Sequence, residues 1–386
     1  MHPNHIRGKL NMIHRELKSR LEEKMFKGKA IILMGARQVG KTTLCNEILK
    51  PRAEKVLKLN FDEPDIRQQL ENPTMEDLKR IIADNKIIVM DEAQRATNIG
   101  LTLKRIQDNF KEIQLLVTGS SSLNLRTKIN EPLTGRKWEY TLYPISTSEL
   151  MHTEGLLPTQ RSLENRLIYG SYPDVLNYTT EAKETLMNLA DSYLYKDLLE
   201  IDHIRKSSMI EKLLVALALQ VGSEISYNEI GQTVGSDSKT VEKYIDLLEK
   251  SYIILRLSAL SRNLRNELKK SKKIYFYDNG IRNAIIQNFT PLALRNDTGA
   301  LWENFFISER IKHNHYTGHY VNSYFWRTKT QQEIDYIEEC DGTMTAFEMK
   351  WNPRKGGISF PKAFMEAYPV KESVIITPDN YLDYLQ

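Results

Sequence analysis

Cysteine is nearly missing: Cys45 and Cys340 are the two thiols in 386 residues. Two are too few for a disulfide framework or a structural zinc site, and they fit a reducing compartment. Long apolar runs are missing as well. The longest, Leu213 to Leu219, falls far short of the roughly 18–20 residues a membrane span needs, so no membrane partner is expected. The charges near the start have no apolar stretch behind them, so no secretory signal is read and a cytoplasmic location is expected. An excess of one charge is lacking too. The net balance is +4, so any case for nucleic acid must come from local clustering. Repeats and low-complexity tracts are absent. What remains is an ordinary globular composition, 41% hydrophobic and 27% charged, at a length that favours two or three domains.

Ile13, Leu17 and Leu21 recur every four residues in MIHRELKSRLEEKM, which predicts an amphipathic helix ahead of the first strand. Short apolar runs then alternate with helical segments: KAIILMG (29–35), VLKLNFDE (56–63), KIIVMDEA (86–93) and IQLLVTGSS (113–121). Continuous apolar strands separated by helices imply a parallel sheet covered on both faces. KWEYTLYPIS (137–146) is a candidate fifth strand, and 150–215 reads as helical throughout.

GARQVGKTT carries Gly35-x4-Gly40-Lys41-Thr42 between a predicted strand and a predicted helix. In this phosphate-loop pattern the glycines let backbone N–H groups of Gly35, Ala36, Arg37, Gln38, Val39 and Gly40 turn inward around phosphates. The next helix adds its N-terminal partial charge through Thr42 and Thr43. Lys41 would reach the β- and γ-phosphates of ATP, and the Thr42 hydroxyl would bind Mg2+. IIVMDEAQ ends a buried strand on an acidic pair, where a sheet's carboxyl edge faces its ligand. Asp91 would hold Mg2+ through water and Glu92 would polarise the attacking water. After LLVTGSSS, a hydroxyl of Thr118, Ser120 or Ser121 is placed to sense the γ-phosphate, unless the segment is a plain serine-rich turn. Arg136, in LTGRKWEY, is either an arginine finger, in cis or in trans, or a structural salt bridge.

ISYNEIGQTVGSDSKTVEKYIDLLEKSYIILRLSAL fits a helix–turn–helix followed by a wing, closed by KKIYFYD. Gly235-Ser236-Asp237 makes the turn and Ser238 is placed to cap the second helix; Val241, Tyr244 or Ile245, and Leu248 face inward. That helix shows Lys239 and Lys243 but also Glu242, Asp246 and Glu249, a mixed face that suits packing better than phosphate contact. Between the wing strands the balance changes. Arg256, Arg262, Arg265, Lys269, Lys270, Lys272 and Lys273 face only Glu267, a footprint for DNA or else a solvated loop that docks an acidic partner.

QQEIDYIEECDGTMTAFEMKW contains Asp341-Gly342, a hairpin signal between two strands. Alternation puts Glu348 and Lys350 on one face, and Asp335 on the partner strand can point the same way. Two such carboxylates can bind a divalent metal while the lysine orients water against a phosphate. Glu303, on a helix begun by WENFF, is a candidate third carboxylate. This order resembles the restriction-endonuclease-like core, with Glu303, Asp335, Glu348 and Lys350 as its catalytic set and Asp335 and Glu348 as ligands of a second Mg2+ or Mn2+. An ion-paired cluster on an inactive scaffold is the alternative.

Taken together, GARQVGKTTL, LNFDEP, IIVMDEAQ, LLVTGSSS, LTGRKWEYTLYPISTSEL, GSYPDVL, KKIYFYDNGIRNAI, TGALWENFFISE and QEIDYIEE…TAFEMKW span about residues 12–352. In that order they resemble the bacterial and archaeal AAA-type ATPases with a C-terminal domain of unknown function built on a restriction-endonuclease-like core. The resemblance implies an α/β protein: a P-loop ATPase core at 1–150, a helical lid at 151–215, a winged helix at 216–290 and the nuclease-like domain at 291–386. It also implies that Gly170-Ser171-Tyr172-Pro173 lies in the lid near the nucleotide. The function it implies is Mg2+-dependent ATP hydrolysis driving a switch, whose terminal domain either cuts DNA or binds DNA or protein without cutting. Oligomerisation is left open by the sequence.

Overall fold

The computed structural model describes residues 13–120, 125, 128–191, 207–261, 272–352 and 359–386. Ser121, Arg262, Arg265, Glu267, Lys269 and Lys270, named above, lie outside the described residues. The chain divides into two compact units. One is Arg15–Pro144 with Lys250–Tyr252; the other comprises Met1–His14, Ile145–Glu249 and Ile253–Gln386.

In the first unit α1 (Leu17–Lys24) leads into β1 (Ala30–Met34), α2 (Lys41–Leu49), β2 (Val56–Asn60), α3 (Pro64–Leu70), α4 (Met75–Ile82), β3 (Ile87–Asp91), α5 (Ile99–Asn109), β4 (Gln114–Gly119) and β5 (Lys137–Thr141). The sheet order is β2-β3-β4-β1-β5 and every pair is parallel. All residues of β1 and β4 are buried, so both sheet faces are covered, which is why these strands read as unbroken apolar runs. The helix expected from Ile13 onward starts only at Leu17. Leu17 and Leu21 are buried on it, whereas Ile13 packs with Ile145, Leu150 and Leu176 of the second unit. Because all five strands run one way, the ends of β1, β3 and β4 open onto the same edge.

The second unit begins with α6 (Thr147–Glu154), α7 (Leu156–Arg161), α8 (Leu163–Tyr169), α9 (Pro173–Asn177), α10 (Ala182–Leu189) and α11 (Ser207–Leu219). After β6 (Glu224–Ile225) come α12 (Tyr227–Val234), α13 (Ser238–Lys250), β7 (Ile254–Ala259), β8 (Lys272–Phe276) and α14 (Asn279–Ile285). The rest is α15 (Thr298–Thr317), β9 (Asn322–Arg327), β10 (Glu333–Cys340), β11 (Thr343–Met349), α16 (Lys362–Ala367) and β12 (Val370–Ile376). Ile245, not Tyr244, is the buried choice on α13. The cap of α13 also differs from expectation: the Asp237 carboxylate, not Ser238, accepts the N–H groups of Lys239 and Thr240.

One sheet, in the order β12-β11-β10-β9-β7-β8-β6, runs through the whole C-terminal part of this unit. The two expected wing strands, β7 and β8, pair antiparallel. β7 also pairs parallel with β9, Ser258 opposite Tyr324 and Ala259 opposite Phe325. The strands before and after residue 290 therefore share one hydrogen-bonded sheet. α15 lies on it with Trp302 fully buried against Phe305, Tyr381 and Trp351, the ring centroids 5.5–5.9 Å away.

Candidate nucleotide site and carboxylate cluster

The loop after β1 turns at Gly35, whose φ is +149°. A Cβ there would lie 2.1 Å from the Leu142 carbonyl oxygen, so only glycine lets the loop pass the end of β5. Ala36 and Val39 are buried, Arg37 is half-buried and Gln38 is exposed. Lys41 is buried at the start of α2 and folds over the loop, its Nζ donating to the carbonyls of Gly35 (3.0 Å) and Ala36 (2.8 Å). Thr42 and Thr43 are exposed on the first turn of α2. Thr42 Oγ1 donates to Asp91 Oδ2 at 2.8 Å, and Thr118 Oγ1 donates to the other carboxylate oxygen of Asp91. The hydroxyl and carboxylate expected at Mg2+ thus stand together at the sheet's carboxyl edge, a hard-oxygen pair suited to that ion.

Glu92 sits just beyond β3 in a left-handed conformation, φ 53° and ψ 39°. Its amide donates to Thr118 Oγ1 at 3.2 Å, and its Oε2 accepts from Gln94 Nε2 (2.5 Å) and Ser120 Oγ (3.2 Å). Gln94 Nε2 also donates to Ser120 Oγ at 2.9 Å. Two residues of this site went unread in the sequence. Gln94 closes the DEAQ stretch. Arg15, in the charged stretch HRELKSR, is buried and donates to the Val39 carbonyl (2.6 Å) and the Tyr143 carbonyl (2.7 Å). It bolts the phosphate loop to the strand end beside it. Neither role has a local sequence signal.

Arg136 is elsewhere. It precedes β5, its carbonyl accepts from the Ala30 amide, and its Nε pairs with Asp108 at 2.7 Å. Ala30 opens β1 and the phosphate loop follows Met34, so at about 3.3 Å per residue roughly 13 Å of strand separates Arg136 from the loop. Of its alternatives the geometry favours the salt bridge and disfavours the finger in cis. Cys45, on α2, is a buried thiol pushed up to about 12 by burial and by nearby Asp91, so it is an inert packing group.

In the second unit the hairpin forms as expected: Asp341 and Gly342, φ 49° and 78°, join β10 to β11. Asp335 and Glu348 lie one step from the opposed pair Tyr336–Phe347. Asp335 Oδ2 accepts the Met349 amide at 3.0 Å, and Glu348 Oε2 pairs with Lys350 Nζ at 3.0 Å. Glu303, reaching from α15, accepts from Tyr275 OH (2.6 Å) and from Lys273 Nζ (3.3 Å). Lys273 Nζ also meets Glu333 at 2.5 Å. Burial, and after it the Asp335 charge, push Glu303 and Glu348 each up to about 7. The expected four residues do share one charged neighbourhood, but each ligand is already engaged by the protein. Among the described residues no three His, Cys, Asp or Glu side chains stand together as a metal-holding group. The two ligands anticipated for a second divalent ion, Asp335 and Glu348, are thus held by the Met349 amide and by Lys350.

The basic footprint is also spent internally where it is described. Arg256 pairs with Asp246 (2.6 Å) and with Glu249, so the acids of α13 hold β7. Lys272 donates to Ser258 and Lys273 is buried.

Residues 27–151 match the family described as AAA domain, so this segment is similar to AAA-type domains. Residues 160–292 and 298–385 match two domains of unknown function, DUF8612 and DUF4143. Uncharacterized protein Rv2008c of Mycobacterium tuberculosis is 25% identical over 87% of this chain and 73% of its own length. Uncharacterized protein MJ1544 of Methanocaldococcus jannaschii is 22% identical over 86% and 76%. Among solved structures, the Thermotoga maritima RuvB Holliday junction branch migration motor is similar over 67% of this chain and 95% of its own. Its sequence identity is 14% and its TM-score 0.34, a likeness too distant to assign anything here. No helix among the described residues is long and apolar enough to cross a membrane.

Proposed function

We propose that this protein binds and hydrolyses ATP with Mg2+ in its first unit and uses the nucleotide state to switch its second. The observation that carries this is Thr42 on Asp91 beneath a buried Lys41 whose ammonium lies over the phosphate loop. When bound, Mg2+ would neutralise phosphate charge. The protein's own part is to bind phosphate through the loop amides and Lys41, to hold the metal through Thr42 and Asp91, and to orient water with Glu92. In the second unit α12, α13, β7 and β8 support a winged-helix reading, and α15 on β9–β11 supports a nuclease-like one. Of the two outputs expected, cutting and binding, the pairing of Asp335 with the Met349 amide and of Glu348 with Lys350 favours binding of DNA or protein without cleavage. The scarcity of thiols suits a cytoplasmic setting.

The test is ATP turnover by the full chain beside nicking of supercoiled plasmid in Mg2+ or Mn2+. Turnover is expected in the wild type and not in Lys41→Ala, and no metal-dependent nicking in either. Equal turnover in both would remove the ATPase reading; nicking abolished by Asp335→Ala would replace binding by cleavage.

A further inference from the structure

The carboxylate cluster of the second unit already contains a cation from the basic run around β8. Lys273 belongs to the run of basic residues read as a nucleic-acid footprint, yet it is 2% exposed. Its ammonium lies 3.3 Å from Glu303 Oε1, 2.5 Å from Glu333 Oε1 and 5.4 Å from the centre of the Phe325 ring. Tyr275, two residues along β8, puts its hydroxyl on the same Glu303 oxygen at 2.6 Å. Much of the negative charge here is already offset by cations of the protein. Glu303, Glu333, Asp335 and Glu348 face Lys273, Lys350 and Arg327, the last reaching Glu333 at 3.8 Å. β8 is not a loose insertion either. It pairs with β7, and β7 with β9, so the lysine and the carboxylates of β10 and β11 are carried by one sheet.

We infer that Lys273 is the resident cation of this cluster, and that the second unit takes no divalent ion at Glu303, Asp335 and Glu348 while that ammonium is present. A divalent cation bound by Glu303 would have to sit beside a buried ammonium it repels, in surroundings where charge is poorly screened. Removing the ammonium while keeping the carboxylates leaves unmatched negative charge and oxygen ligands, the condition under which a hard cation binds. Lys273 is a positioning residue: it holds Glu303 and Glu333 in place. The inference rests on the cluster as described above and is independent of ATP turnover.

The experiment uses full-length, nucleotide-free protein carrying Asp91→Asn, which removes the carboxylate of the nucleotide site. Bound Mn2+ is counted by electron paramagnetic resonance, and thermal unfolding is followed with and without Mn2+. The Asp91→Asn protein is expected to bind no Mn2+ that a further Asp335→Asn removes. Adding Lys273→Met is expected to create one Mn2+ site per chain, lost again with Asp335→Asn, and to make Tm rise with Mn2+. A site in the Asp91→Asn protein that Asp335→Asn abolishes would overturn the inference, as would a folded Lys273→Met protein that gains none. If Lys273→Met does not fold, the Asp335→Asn comparison in the Lys273-containing protein still decides. Turnover of ATP in the protein without Asp91→Asn, measured separately, tells a failure of this inference from a failure of the ATPase reading.

Discussion

At the scale of single residues, the proposed ATP site turns on how Glu92 is held. Its carboxylate is fixed by Gln94 and Ser120, and its backbone by Thr118. Glu92→Gln is expected to keep ATP affinity and to lower turnover by about 10²–10⁴-fold, because only the water-polarising charge is lost. Equilibrium binding beside steady-state turnover checks both halves. Gln94→Leu is expected to leave affinity alone and to lower turnover roughly ten- to hundredfold through misplacement of Glu92; an unchanged rate would mean that Ser120 alone suffices. Lys41, Thr42, Asp91 and Glu92 were legible in the sequence because backbone geometry forces those residue types into a short, ordered pattern. Gln94 and Arg15 were not, because hydrogen bonds to a carboxylate or a carbonyl can come from many positions in a chain.

At the scale of elements, the GSYP segment shows what a motif can be for. The Asp278 carboxylate, at the start of α14, accepts the Ser171 amide at 2.7 Å. A Cβ on Gly170 would lie 1.9 Å from Asp278 Oδ1, at a φ of +72° that only glycine adopts readily. Nearby, Glu309 of α15 is buried with Lys312 (2.6 Å) and Arg166 of α8 (3.5 Å), and accepts the Thr147 amide at 2.6 Å. These partners tie GSYP and YDNG to each other and α6, α8 and α15 together, a structural reason for the two motifs. Gly170→Ala is expected to destabilise the second unit by at least about 1–3 kcal/mol from backbone strain, read by chemical unfolding. The hairpin carries a pH dependence. Glu348 is held near 7 against an ordinary 4.5 by burial and then by Asp335. A carboxyl raised on folding stabilises fully below its unfolded value, and that contribution is lost as pH rises through the folded one. From Glu348 a fall in Tm is expected between about pH 5 and pH 8, and Glu348→Gln is expected to shrink it; an unaltered slope in the variant would show that Glu348 is not its source.

At the scale of the whole molecule, two units share one chain, and the proposed switch requires that one sense the nucleotide held by the other. Amide hydrogen exchange on Glu92→Gln protein, with ATP or with ADP, is expected to differ within α12–β8 as well as around the phosphate loop. Differences confined to Arg15–Pro144 would mean that hydrolysis is not transmitted. Arg136, paired with Asp108 at the sheet's amino edge, is expected to matter little to turnover. A large, concentration-dependent loss in Arg136→Ala would instead show a neighbouring copy supplying it in trans.

The five-stranded parallel sheet, the Gly35–Gly40 loop and acidic strand end, and the Asp341-Gly342 hairpin were all set locally. Burial on two faces demands continuous apolar strands, a phosphate cradle demands glycine, and a tight hairpin demands residues that accept positive φ. The sequence alone could also place Asp335 and Glu348 on one face, since strand side chains alternate. It could not show β7 pairing with β9, or that Lys273 would leave its basic run for the carboxylates. Those depend on which strands meet across 60 and more residues of chain, and an ammonium's partner is chosen by where the packed sheet leaves it, not by its neighbours in sequence.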